Sequence, residues 1–198
     1  EKQCHFLDRV LTNSSDLLHL IDDILDLSRI EAGRMELLKA PFDVRNWLNR
    51  VVTQIKPQAD AKGLVLEAHT DDDMPPMIVG DEDRLKQIAV NLLSNAVKFT
   101  EKGEVKIGLH KRGDTLWEII VSDTGIGIPA QDLPKIFDRL FRGEKSRSHR
   151  GLGLGLSMVQ AVVRAHQGSI EVESNPGKGS IFRVFLPGST ALGSCASS

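Results

Sequence analysis

Apolar positions in the first 38 residues recur at helical spacing. Val10, Leu17, Ile21 and Ile24 are separated by seven, four and three residues, and Leu11, Leu18 and Leu25 repeat every seven beside them. The stripe is wide, as in a helical bundle rather than a narrow two-stranded seam. Asp16, Asp22, Asp23 and Asp26 lie off it. One helix cannot bury such a stripe alone, so residues 1–38 read as a long bundle-forming helix that needs partners. Gly33 and then Pro41 end or bend it.

The pattern changes after Pro41. Asp43 suits the N-cap of a helix running to about Lys62, with Gly63 as its stop and Pro57 predicting a kink or an early break. Leu64 to His69 alternates like a strand. Asp71-Asp72-Asp73-Met74-Pro75-Pro76 reads as an exposed loop whose acidic run is solvated, and Met77 to Val79 as a short strand. Asp81 caps a second helix, whose core face is Leu85, Ile88, Ala89, Leu92 and Ala96. Val105, Ile107 and Leu109 alternate as a strand, Arg112-Gly113-Asp114 is a turn, and Leu116 to Val121 is a buried strand. Pro129 suits the first turn of a short helix. Residues 142–152 form a basic loop bounded by glycine, and a helix from about Gly153 to His166 stops at Gly168. Ile170 to Ser174 and Ile181 to Leu186 make a closing hairpin around Asn175-Pro176-Gly177-Lys178-Gly179. The tail from Gly188 is rich in Ser, Ala and Gly and reads as disordered.

Strands and helices mix without a strict alternation, and the short turns favour antiparallel pairing. The expectation is an α+β, two-layer sandwich: a mixed, mainly antiparallel sheet with helices on one face. The domains fall at 1–38, 41–188 and a tail at 189–198.

Composition narrows the function. Charged residues make up 26% of the 198 and the net charge is -2, which gives no reason to expect a nucleic-acid or anionic-membrane partner. Tyr is absent, which argues against an aromatic platform for single-stranded nucleic acid. No apolar run is long enough to span a bilayer. Glu1-Lys2-Gln3 opens no secretory signal. Cys4 and Cys195 near opposite ends do not resemble a disulfide framework, so a reducing cytosol is expected. No Gly-x-x-x-x-Gly-Lys-Ser/Thr sequence is present, so a P-loop is excluded.

Four motifs carry candidate chemistry. Asn91, Asn95 and Lys98 follow at steps of four and three and share one helix face. Asn is a poor residue for a helix interior. Carboxamide oxygens can ligate a hard cation while a lysine neutralises phosphate; a surface amide pair with a solvated lysine fits the spacing equally well. Asp123 ends an apolar strand before Thr124-Gly125-Ile126-Gly127. Its carboxylate can accept from an exocyclic amine such as that of adenine, and the glycines let backbone approach a flat ring; a plain turn is the other reading. Gly151, Gly153 and Gly155 lead into a helix near Leu154, whose freed N–H groups can cradle phosphate. Arg142, Lys145, Arg147, His149 and Arg150 precede them, either to fold over a polyanion or as ordinary surface charges. Phe137 and Phe141 anchor this loop or simply pack in the core.

In this order and at these intervals, Asn91-Leu92-Leu93-Ser94-Asn95 with Lys98 and Phe99, Asp123-Thr124-Gly125-Ile126-Gly127, Phe137 with Phe141, and Gly151-Leu152-Gly153-Leu154-Gly155 resemble the N, G1, F and G2 boxes of the sensor histidine kinases. Residues 17–33 are similar to that family's second dimerisation helix. The resemblance implies the gyrase, chaperone and histidine-kinase ATP-binding fold, with ATP and Mg2+ as ligands. It implies that Asp123 reads the adenine amine and Asn95 holds magnesium. Asn91 lines the phosphate region and Lys98 contacts phosphate. Gly125 and Gly127 shape the adenine turn. Arg150, Gly151, Gly153, Leu154 and Gly155 form the lid, with Phe137 and Phe141 its F box. It further implies a cytoplasmic histidine kinase of two-component signalling that dimerises through a helical hairpin. The γ-phosphoryl group passes to a histidine and then to an aspartate on a response-regulator receiver domain.

The sequence departs from that family in two places. His5 is followed by Phe6-Leu7-Asp8-Arg9 without the family's Thr-Pro, and His19 lies on the second-helix segment. Neither suits the phosphoacceptor, so the acceptor is expected outside this chain, which looks truncated. Leu152 stands where many relatives carry Ser or Thr. The family's related hydrolases place a Glu base where this chain has Asn91, and an amide cannot act as a base. That favours transfer over hydrolysis. A catalytically silent nucleotide-binding or scaffold module that regulates a partner kinase is the alternative.

Overall fold

The structure, a computed structural model, describes Leu25 and residues 36–113, 115–143 and 152–188. The chain divides into two compact units, Glu1–Glu36 and Leu37–Ser198. Residues 1–24 and 26–35, over which a long helix is expected, lie outside the described residues, as do residues 144–151, Asp114 and residues 189–198. Leu25 is helical, but Glu36 to Lys39 are not, so the first helix does not reach Leu38 as expected. Proline keeps the residue before it extended. The Leu38 amide donates instead to Asp81 Oδ2, at 2.9 Å.

The second unit runs β1 (Ala40–Asp43), α1 (Val44–Ala61), β2 (Val65–Thr70), β3 (Met77–Gly80), α2 (Glu82–Phe99), β4 (Glu104–Arg112), β5 (Leu116–Asp123), α3 (Gly155–Ala165), β6 (Ser169–Asn175) and β7 (Gly179–Pro187). β1 and β3 form a small antiparallel ribbon, and the main sheet has the order β2-β4-β5-β7-β6. β2 lies parallel to β4 and the other neighbours are antiparallel. The parallel pair exists because β3 and α2 intervene between β2 and β4, giving the long crossover that parallel pairing requires. The expected two-layer α+β sandwich with a mixed, mainly antiparallel sheet is what the chain forms.

One face of the sheet carries Val105, Ile107, Leu109, Trp117, Ile119, Val121, Phe182, Val184 and Leu186, all buried. They meet the apolar stripes of the helices: Trp47, Val51 and Ile55 of α1, Leu85, Ile88 and Leu92 of α2, and Met158, Val159 and Val162 of α3. The other face is mostly charged. Glu118 is nevertheless fully buried there, because Arg112 and Arg183 fold over it at 2.5 and 3.7 Å.

Several local expectations need correction. Pro57 does not end α1, which continues to Ala61. The carbonyl that loses its partner is that of Thr53, which is exposed and open to water, while buried Ile55 and Ala59 hold the opposite face down. The strand β1 was not expected, because Pro41 suggested a break. Pro41 is tolerated in a two-stranded ribbon, opposite Val79, since each strand has a free edge. The acidic loop is not wholly exposed. Met74 is buried, and Asp71 accepts from the Lys111 amide at 3.2 Å and pairs with His110 Nδ1 at 2.9 Å. Burial raises the Asp71 carboxyl, but His110, the Lys111 amide and His69 outweigh it and hold the group below its ordinary value. Pro129 opens a turn rather than a helix, and the short 3-10 turn comes later, at Leu133–Lys135, with Pro134 in its first turn. α3 begins at Gly155 and not Gly153, because Gly153 has φ +76, outside the right-handed helical region.

Both cap aspartates act as expected. Asp43 accepts from Asn46 N at 2.7 Å and Asp81 from Arg84 N at 3.1 Å. Asp81→Ala is expected to lower the unfolding free energy by about 1 to 2 kcal/mol, and Asp81→Ser by less, since serine still caps. Urea melts followed by tryptophan fluorescence measure this; equal losses would remove capping as the cause.

Candidate nucleotide site

Helix α2 carries two adjacent stripes. Leu85, Ile88, Ala89, Leu92 and Ala96 are buried in the core, and Asn91, Asn95 and Lys98 are half-buried beside them. The helix that must sit on the sheet therefore holds two carboxamides and an ammonium at the edge of the core. The first turn of α3 meets this polar stripe. A Cβ on Gly155 would lie 3.6 Å from Asn91 Oδ1, so the first turn of α3 abuts the first asparagine. Leu154 occupies the N-cap of α3, and its apolar side chain makes no capping hydrogen bond to that turn. Its leading N–H groups are the kind that accept an anion.

Asp123 closes β5. Its Oδ1 accepts from Gly125 N at 2.8 Å. Burial pushes its carboxyl above the ordinary value, and hydrogen bonds from Gly125 and Ser180 offset only part of that. The turn that follows is locked against α2 and the β6–β7 hairpin. Ile126 N donates to Phe99 O at 3.2 Å, and Gly177 N donates to Ile126 O at 2.8 Å. The space saved by the two glycines is filled by protein backbone. A Cβ on Gly125 would sit 2.4 Å from Phe99 O, and one on Gly127, which has φ +64, would sit 2.0 Å from Asn175 O.

Phe137 and Phe141 are half-buried, on either side of exposed Leu140. The contact between this segment and the glycine box is made by backbone. Leu140 N donates to Gly153 O at 3.1 Å, and a Cβ on Gly153 would meet Phe141 O at 2.6 Å. Leu140 itself has φ 59, which is uncommon for a bulky residue, and no sequence signal marks it.

Lys98 stands 5.0 Å from the centre of the Phe99 ring. Burial depresses its ammonium below the ordinary value, and the charge of Arg142 adds to this. The charge of Arg142 is thus felt at Lys98. The sequence marked it as part of a basic loop and no more, because chain distance does not reveal which loop cation folds back. Arg150 and Gly151, with Lys145, Arg147 and His149, lie outside the described residues. Asn91, Asn95, Lys98, Asp123, Gly125, Gly127, Gly153, Leu154 and Gly155 lie on α2, at the end of β5 and on the approach to α3, and Phe137 follows the 3-10 turn at Leu133–Lys135. Among the described residues no group of three or more His, Cys, Asp or Glu is arranged to hold a metal.

A fold of this kind, with an asparagine-bearing helix against a glycine-led helix N-terminus, is matched over residues 80–190 by the histidine kinase-, DNA gyrase B- and HSP90-like ATPase family, to which the chain belongs. Within that family its similarity is to sensor histidine kinases. It is 38% identical over 182 residues to the signal transduction histidine-protein kinase BarA of Escherichia coli, covering 89% of this chain and 20% of that one. It is 39% identical over 193 residues to the hybrid signal transduction histidine kinase L of Dictyostelium discoideum, covering 94% of this chain and 11% of that one. The crystal structure of full-length ShkA in complex with AMPPNP superposes with a TM-score of 0.84 at 31% identity, over 96% of this chain and 40% of that one. The chain therefore spans about a fifth or less of the length of these two curated relatives, and its histidine-kinase ATP-binding domain is the part that the family match covers.

The raised Asp123 carboxyl has a stability consequence. A carboxyl whose folded pKa lies above its unfolded value favours folding least once pH exceeds the folded value, and the handicap disappears below the unfolded one. Asp123→Asn keeps an acceptor for Gly125 N and loses the buried charge. It is expected to melt at a higher temperature than the unmodified chain at pH 7, with the gap closing as pH falls toward the ordinary 3.8. Calorimetric melts across that range check the sign.

Proposed function

We propose that this chain is the ATP-binding catalytic part of a sensor histidine kinase. It transfers the γ-phosphoryl group of ATP to a histidine, for relay to an aspartate on a response-regulator receiver domain. The observation that carries the reading is the meeting of two elements at Asn91 and Gly155, where the polar stripe of α2 faces the first turn of α3, whose N-cap residue Leu154 makes no side-chain cap. An anion placed there would be approached by N–H dipoles from α3 and by cations at Lys98 and Arg142. Those two cations are held near one another in partial burial at an electrostatic cost, which a polyphosphate would relieve. Asp123, at the other end of the polar stripe, would accept the adenine amine. Its burial and its bond to Gly125 hold the carboxylate in place.

The donor set suits magnesium. A hard cation prefers oxygen, and the carboxamide oxygens of Asn95 and Asn91 offer it. With no cluster of carboxylates among the described residues, the remaining ligands would be phosphate oxygens and water, as is usual for this ion. Magnesium when bound supplies charge neutralisation across the β- and γ-phosphates. The protein's own contribution is positional: α2 sets Asn91, Asn95 and Lys98 in line, and the Leu140–Gly153 bond joins the F-box segment to the start of α3. Asn91 cannot take a proton from water, so the site favours a positioned acceptor over hydrolysis.

Family-wide properties extend the reading to a cytoplasmic module, standing alone or as the cytoplasmic part of a membrane-bound sensor, that dimerises through a helical hairpin. No described helix is long and apolar enough to cross a membrane.

Isothermal calorimetry with ATP and magnesium tests the site. The unmodified chain is expected to bind, Asp123→Asn to lose most of the affinity, and Asn95→Ala to lose its magnesium dependence. A dimerisation hairpin bearing the acceptor histidine, supplied in trans, is then expected to gain labelled phosphate. Binding without any transfer would turn the conclusion to a nucleotide-binding scaffold that regulates a partner kinase. Steady phosphate release without acceptor would point to a hydrolase.

A further inference from the structure

An α-helix ends with four carbonyls that have no partner within it. In α2 those are Ala96, Val97, Lys98 and Phe99, and every one of them is accounted for. Ala96 O accepts from the Thr100 amide at 3.1 Å and from Thr100 Oγ1 at 2.7 Å. Phe99 O accepts from Ile126 N at 3.2 Å, within the glycine turn after Asp123. Val97 O and Lys98 O both accept from one atom, the Nζ of Lys62, at 2.8 Å each, and Thr100 O accepts from the same atom at 3.2 Å. Lys62 is the C-cap residue of α1 and lies 36 positions from Lys98 in the chain. Its ammonium has three protons and the structure gives it three carbonyls.

We infer that Lys62 is a positioning residue for the nucleotide site, acting through the last turn of α2. That turn holds Lys98 and supplies the Phe99 carbonyl on which the Asp123–Gly125 turn rests, at 2.4 Å from the position of a Gly125 Cβ. The tolerance there is small, so a turn that loosened or slid would carry both the phosphate cation and the floor of the adenine turn with it. Lys62 also places a positive charge at the negative end of the α2 dipole. Without it, Val97 O and Lys98 O would need other donors.

This inference rests on the ATP reading of the site, and the experiment separates the two. ATP and magnesium are titrated into the unmodified chain, Lys62→Met and Lys62→Arg, well below the melting temperature of each. Lys62→Met keeps the aliphatic stem and removes every donor; it is expected to bind ATP about tenfold more weakly. Lys62→Arg, which still offers several donors, is expected to recover most of that loss. If the unmodified chain fails to bind, the ATP reading falls. If it binds and Lys62→Met binds within about twofold of it, Lys62 is no more than a stabilising cap, whatever its effect on melting, and the inference is overturned. A measurement on the unmodified chain keeps the test open should Lys62→Met not fold. Coupling is reciprocal, so ATP must strengthen the bonds that favour its binding. Acylation of Lys62 by a water-soluble succinimidyl acetate is therefore expected to slow when ATP is present, while that of Lys56, which pairs with Asp60 on α1, stays constant. An unchanged Lys62 rate would equally overturn the inference.

Discussion

Helix α2 has to satisfy two demands at once. Its apolar stripe must lie on the sheet, against residues such as Ile107 and Ile119, and its polar stripe must stay beside the core without entering it. Because the helical period places Asn91, Asn95 and Lys98 next to Leu92 and Ala96, burying one stripe fixes the direction of the other. The remaining elements arrange themselves around this beam. α1 and α3 flank it, β5 delivers Asp123 to its C-terminal end, and the approach to α3 crosses its middle at Asn91. A rotation of α2 by one residue would bury an asparagine and expose a leucine, so the core's demand for close packing also aligns the site.

Both ends of the beam are tied by polar atoms. At the N-terminus one carboxylate, Asp81, caps the helix with one oxygen and holds the Leu38 amide with the other. At the C-terminus Thr100, Lys62 and Ile126 divide the free carbonyls among them. These ties differ from the apolar contacts in being directional. Hydrophobic burial has no preferred direction, whereas a hydrogen bond weakens steeply with angle. Stability therefore comes mainly from the stripe, and registration along the helix axis from the ends. The site lies between the two, which is where functional groups are best held by rigid elements and a supporting shell.

Burial shifts the two ionisable groups beside the C-terminal half of α2 in opposite directions. Asp123 is a carboxylate raised by burial, and Lys98 an ammonium depressed by burial with Arg142 nearby. Glu118, on the other face of the sheet, lies beneath Arg112 and Arg183, and Asp71 beside His69 and His110. Shifted groups at both Asp123 and Lys98 place two perturbed titrations along α2 and the turn beside its end.

The linear sequence determined a good deal by itself. Periodicity placed both cap aspartates, the buried face of α2, the strands at Val105 to Leu109 and at Leu116 to Val121, and the closing hairpin. These follow from local rules that a few neighbouring residues obey. The same spacing put Asn91, Asn95 and Lys98 on one face, since a helix fixes that geometry without help. What the tertiary structure decided was everything that depends on distant segments. Pro57 stays inside α1 because solvent reaches the carbonyl it frees. Pro41 enters a strand because Val79 is there to pair with it. Gly125 and Gly127 are small because the carbonyls of Phe99 and Asn175 come close, Arg142 returns to Lys98, and Lys62 reaches the end of α2. None of these is written in spacing, because each depends on two stretches of chain that meet only when the core has formed.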